Sequence, residues 1–93
     1  MRIIGYIDHP QLKITVFKMD NRLSIKLENA RCEQTYKFGA DERLDSLEAV
    51  RRLVDEEFLD AVQIQLQQMH QNRLKSLARN FPSAETEAFE DII

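Results

Sequence analysis

Leu12-Lys13-Ile14-Thr15-Val16-Phe17-Lys18-Met19-Asp20-Asn21-Arg22-Leu23-Ser24-Ile25-Lys26-Leu27 decides the fold class of this chain. On both sides of Asp20-Asn21, apolar and polar residues alternate, the period-two pattern of a half-buried strand. Asp and Asn are the two residue types besides Gly that tolerate positive φ, as a tight hairpin turn requires. A two-residue loop there sets Val16 opposite Ile25 and Ile14 opposite Leu27, all on one face.

The same pattern extends outward. Asn29-Ala30 reads as a second tight turn, putting Leu27 opposite Cys32 and Leu23 opposite Tyr36. Upstream, Asp8-His9-Pro10-Gln11 joins a first strand, Arg2 to Ile7, so that Ile7 faces Leu12 and Ile3 faces Val16. Pro10 cannot donate to a ladder, which suits a loop. Residues 1–38 thus form a four-stranded antiparallel meander. Its apolar face is Ile3, Ile7, Leu12, Ile14, Val16, Leu23, Ile25, Leu27, Cys32, Tyr36 and Phe38. Gln34 also falls on that face and is expected near an edge or bonded to backbone.

From Asp45 the period changes to that of a helix. Asp45 with Glu48 gives a capping-box-like start, and no Gly or Pro intervenes before Pro82. Leu47, Val50, Val54, Phe58, Ala61, Val62, Leu66 and Met69 form one helical stripe. Glu48 and Arg52 stand in the favourable i,i+4 order on the outer side. One long helix over residues 45–81 follows, ending where Pro82 disfavours helical geometry at Phe81. Residues 82–93 read as a short terminal helix or a loose tail. The fold class is α+β: a ββββα arrangement in which the long helix packs on one sheet face. At 93 residues the chain is a single domain.

The dimensions of the two layers disagree. Four strands side by side span about 19 Å and an eight-residue strand is about 27 Å long. A helix from Ser46 to Asn80 is about 50 Å long at 1.5 Å per residue. Leu74, Leu77 and Phe81 continue past the sheet and point roughly a third of a turn away from the main stripe. Leaving several such groups wet forfeits burial that a small domain needs. The expectation is a homodimer whose interface includes Leu66, Met69, Leu74, Leu77 and Phe81. The other solution is a helical hairpin turning near Gln71-Asn72, where no Gly or Pro eases the turn.

Catalytic constellations are thin. His9, between Asp8 and Pro10, reads as a turn residue, and His70 among glutamines as solvent-facing. Cys32 alternates with apolar neighbours and behaves as a small hydrophobe. Asp55, Glu56, Glu57 and Asp60 diverge on a helical wheel and read as a solvated face rather than a metal site. Gly5 and Gly39 stand apart, so there is no phosphate-cradling loop. The residues call for no cofactor. No apolar run approaches the roughly 18 residues of a membrane span, and the first residues lack a signal-peptide core. The expected location is the cytoplasm.

Charge is distributed unevenly within the net −3. Residues 1–38 carry seven Lys/Arg against four Asp/Glu, while residues 39–93 carry six against twelve. Arg2, Lys13, Arg22, Lys26, Arg31 and Lys37 are assigned to the outward sheet face, beside Tyr6, Thr15 and Phe17. Cations interleaved with aromatics on an open sheet suit single-stranded nucleic acid, because phosphates attract the charges and bases stack on the rings. Tyr6, Lys13, Phe17, Arg22, Lys26 and Lys37 are the candidate nucleic-acid face. The plainer reading is that alternating Lys and Glu keep a solvated sheet soluble and guard its edges. Arg73, Lys75 and Arg79 make residues 71–80 net +3, and the tail that follows is net −4.

Over residues 1–66, four antiparallel strands followed by one long helix resemble the repeat of the Whirly and Pur-alpha single-strand binders. That likeness lies in topology and implies nucleic-acid binding and pairing of units. The sequence therefore points first to a non-enzymatic, self-associating interaction or scaffold module. A single-stranded nucleic-acid binder using the outward face comes second. A small enzyme with a site at a dimer interface comes third.

Overall fold

The computed structural model describes residues 2–82, so the tail assigned from the sequence lies outside the described residues. Four strands, β1 (Arg2–Ile7), β2 (Lys13–Met19), β3 (Arg22–Glu28) and β4 (Glu33–Phe38), form one antiparallel sheet in chain order. A short 3-10 turn (Glu42–Leu44) leads to two helices, α1 (Leu47–Leu53) and α2 (Glu56–Asn80). The fold is ββββα in outline, with the helical part divided.

The central hairpin pairs Val16 with Ile25 and Ile14 with Leu27, as the alternation requires. Asp20 takes the positive φ, +56°, that closes the turn. The outer hairpins are shifted by two residues from the sequence-based register. Gln34, not Cys32, lies opposite Leu27, and Phe38, not Tyr36, opposite Leu23. The cause is a four-residue loop in place of a two-residue turn. The Asn29 side chain accepts hydrogen bonds from the backbone N–H groups of Arg31 (2.9 Å) and Cys32 (2.8 Å), an Asx-type arrangement. A shift of two leaves every side chain on its own face. Ile7 likewise pairs with Ile14 rather than Leu12.

Ile3 is a true departure. It lies opposite Phe17 and is 49% exposed, on the outward face rather than in the core. The register shifts between Ile3 and Gly5, a bulge that reverses the facing of the first strand residues. Gly5 thereby occupies the place opposite Val16. A Cβ there would stand 2.6 Å from Leu47 Cδ2, so the missing side chain is what lets α1 approach β1. Ile4 packs against the core instead.

The helical layer starts at Ser46, not Asp45; its hydroxyl accepts from Ala49 N–H at 3.2 Å. Glu48 stands 3.7 Å from Arg51, one position before the expected Arg52. The single helix is interrupted at Val54-Asp55, where Asp55 caps α2 by accepting from Phe58 N–H at 2.9 Å. Width explains the break. A helix is about 10 Å across and cannot cover a sheet of about 19 Å. With the break, α1 lies on the β1 side through Leu47, and α2 lies against β4, where Phe58 and Tyr36 meet at 4.9 Å. Val50, Val54, Val62 and Leu66 join Leu12, Ile14, Val16, Leu23, Ile25 and Leu27 in the buried core.

Replacing Asp55 by Ala removes the α2 cap and should lower unfolding free energy by about 1 kcal/mol, read by urea denaturation. An unchanged midpoint would mean that the two helices need no separate cap.

Candidate functional site

Two surfaces stand out. The first is the distal part of α2. Among the described residues, three polar ties join α2 to the sheet layer. Gln63 donates to Gln11 (2.6 Å), Tyr36 O–H donates to Gln65 (3.0 Å), and Arg73 Nη1 donates to the Arg31 carbonyl (2.9 Å). Beyond Arg73 the helix continues unbroken to Asn80, so no hairpin turn occurs at Gln71-Asn72. Leu66 is only 1% exposed and belongs to the chain's own core, which removes it from the expected dimer set. Met69 and Phe81 are exposed, and Leu74 and Leu77 are half-buried. The molecule measures 52 × 25 × 17 Å, and its 16.5 Å radius of gyration exceeds the roughly 12 Å of a compact chain this long. The rod protrudes.

The second surface is the outward sheet face. Its rows run across the strands as Ile3, Phe17, Ser24, Lys37 and as Tyr6, Thr15, Lys26, Thr35. All six candidate nucleic-acid residues, Tyr6, Lys13, Phe17, Arg22, Lys26 and Lys37, lie on this face. Arg2 and Arg31 do not. Arg2 pairs with Lys18 beyond the bulge, and Arg31 sits in the loop before β4. The two ends of the face differ electrically. At one end Lys26 Nζ is 3.7 Å from both Glu28 and Glu33 and 5.8 Å from the Phe17 ring. At the other end Arg22 and Lys37 have no carboxylate within ion-pair distance among the described residues. There Phe17, Met19, Leu23 and Phe38 join Arg22, Ser24 and Lys37 in a groove of about 380 Å³. Sequence reasoning found its cations and Phe17 but missed Met19, which lies past the alternating core; Phe38 faces inward and packs against the core, as its alternation implies, and also lines the groove.

A shallower recess of about 490 Å³ lies between the β3–β4 loop and α2, lined in part by Arg31, Cys32, Met69 and Arg73. His70 belongs to this junction and is half-buried, not solvent-facing as its glutamine neighbours implied. Its Nδ1 is 2.7 Å from Arg73 Nη2, so Nδ1 is the unprotonated acceptor. Among the described residues, its Nε2 is buried without a hydrogen-bond partner, as is Gln34 Oε1 on the inward side of β4. Gln34 does lie on an edge strand. His9 Nδ1 accepts from Gln11 N–H at 3.1 Å, the turn role its sequence setting implies.

Among the described residues, no group of three or more His, Cys, Asp or Glu is placed to hold a metal. None of their helices is long and apolar enough to cross a membrane. No protein-family model, curated protein or solved structure matches the chain. The likeness to Whirly and Pur-alpha repeats therefore rests on element order alone.

Burial, then the Arg31 and Arg73 guanidinium groups, hold the His70 pKa below its ordinary 6.5. A histidine of lowered pKa contributes its full stability above pH 6.5 and loses it as acidity rises toward the folded-state value. The melting temperature should fall from pH 7 to pH 5, and His70→Gln should flatten that fall. An equal fall in both proteins would place the titrating group elsewhere.

Proposed function

We propose that the chain is a non-enzymatic interaction module that pairs with a second copy of itself through distal α2. One observation supports this above all: α2 runs seven residues past Arg73, its last tie to the sheet layer among the described residues, with Leu74 and Leu77 in that stretch. Among the described residues, Leu74 and Leu77 do not join the groups packed on the core. An identical rod laid antiparallel satisfies the same apolar groups on both chains at once, the self-complementary contact of a two-fold dimer. Arg73, Lys75 and Arg79 flank the stripe, so their charge must point to the sides of such a pair.

A second reading attaches to the outward face, because Phe17, Arg22 and Lys37 share one groove. Single-stranded nucleic acid could stack on Phe17 and place phosphates at the two cations. Against it, the Glu28 and Glu33 carboxylates beside Lys26 interrupt any continuous cationic track. The cytoplasm remains the compartment that fits a chain with one cysteine.

Sedimentation equilibrium at tens of micromolar should give twice the chain mass. Leu74→Asp with Leu77→Asp should give the monomer mass while circular dichroism keeps the sheet signal. A wild-type chain that stays monomeric at 100 µM would refute self-association. Labelled single-stranded oligonucleotide, titrated at low salt, decides the second reading: binding that Phe17→Ala weakens about tenfold supports it, and no binding dismisses it.

A further inference from the structure

We infer that the groove of Phe17, Met19, Arg22, Ser24 and Lys37 receives the acidic segment 83–93 of the second chain in the dimer. The inference rests on the self-association proposed above and adds what the exposed sheet face is for. Chemistry matches on both sides. The groove joins an apolar floor to two cations without carboxylate partners among the described residues. The segment Ser83-Ala84-Glu85-Thr86-Glu87-Ala88-Phe89-Glu90-Asp91-Ile92-Ile93 carries four carboxylates interleaved with Phe89, Ile92 and Ile93. Opposite potentials of this kind set orientation and partner choice, and they exclude a like-charged occupant.

Interface size gives the motive. Residues 69–80 of α2 form about 18 Å of a helix about 10 Å wide. That footprint offers each partner a few hundred Å², well short of the roughly 800 Å² per partner of a standard stable interface. A second contact is needed to make the pair firm, and an exchanged segment adds it without a separate association step.

Reach assigns the segment to the partner chain. Along the molecule, the groove lies about 30 Å from the end of its own α2. That distance is about 10 Å of helix from Arg73 to Asn80 plus about 20 Å of strand from Arg31 to Lys37. The groove's Phe17, Ser24 and Lys37 lining also lies on the opposite sheet face, about 10 Å through the layers. From Asn80 to Phe89 the chain spans at most about 31 Å when fully extended. A segment folding back on its own sheet must therefore be stretched to its limit. In an antiparallel pair that overlaps over residues 69–80, the partner's segment begins beside Met69, about 16 Å nearer the groove. It can then round the edge strand β4, whose Lys37 and Phe38, with Gly39 just past its end, form one wall.

Disulfide trapping in the full chain tests this. Cys32→Ser removes the native thiol, and circular dichroism checks that this background folds. Chains carrying Ser24→Cys, inside the groove, are mixed with chains carrying Ala88→Cys. Interchain disulfide should form at least tenfold faster than in a mixture of Lys13→Cys, at the opposite end of the face, with Ala88→Cys. Sedimentation of the same samples separates the two ideas. Dimers with no preference for Ser24→Cys overturn the docking and leave self-association standing; monomers overturn both. Rapid intrachain bonding in a single chain carrying both cysteines, at nanomolar concentration, would also overturn the exchange.

Discussion

The structure depends on covering one apolar sheet face with a helical layer of a different size. Ile14, Val16, Ile25 and Leu27 are at most 1% exposed, and Val50, Val62 and Leu66 are the groups that seal them. Burying an aliphatic side chain is worth roughly 1.5–3 kcal/mol. A chain of this length, with one cysteine and so no internal disulfide, has little else to hold it together. Everything distinctive about the molecule follows from how that covering is achieved in width and in length.

Width is solved inside the chain. The bulge at Ile3–Gly5 sets a residue without a side chain under Leu47, and α1 settles over β1. The break at Val54-Asp55 then lets α2 take its own line across β4, held by the Phe58–Tyr36 contact and the Gln65 hydrogen bond. Length is not solved inside the described residues. Twenty-five residues of α2 make about 37 Å of rod, against about 24 Å for a seven-residue strand. The excess emerges past the Arg73–Arg31 tie, and the proposed self-association grows from that excess. The cationic, apolar groove on the far face then becomes a second meeting point rather than an isolated patch.

Much of this is legible in the residues. The alternation around Asp20-Asn21 specifies the central pairing, because a one-residue slip would turn every apolar group outward. The outer registers were read two residues short because the Asn29 side chain stabilises a longer loop, and composition does not distinguish the two loop lengths. The inversion of Ile3 comes from the bulge between Ile3 and Gly5, beside the close approach of Leu47 to Gly5, which no local pattern encodes. The helix break did leave a signal. Asp55-Glu56-Glu57 before Phe58 is an N-cap with an acidic first turn, but inside an unbroken apolar period it reads as solvated surface. On the candidate surfaces, residue type and strand parity place Tyr6, Lys13, Phe17, Arg22, Lys26 and Lys37 on one face but misplace Arg2, beyond the bulge, and Arg31, in the loop before β4. They did not show which cations the carboxylates of Glu28 and Glu33 neutralise.

Hydrogen exchange along α2 at two protein concentrations tests most directly whether the rod outruns its own shelter. Amides of residues 60–70, over the sheet, should be protected equally in dilute and concentrated protein. Those of residues 74–80 should exchange quickly at nanomolar concentration and become protected at tens of micromolar. Equal, strong protection of 74–80 at both concentrations would show that the chain covers this segment by itself, and would contradict the account.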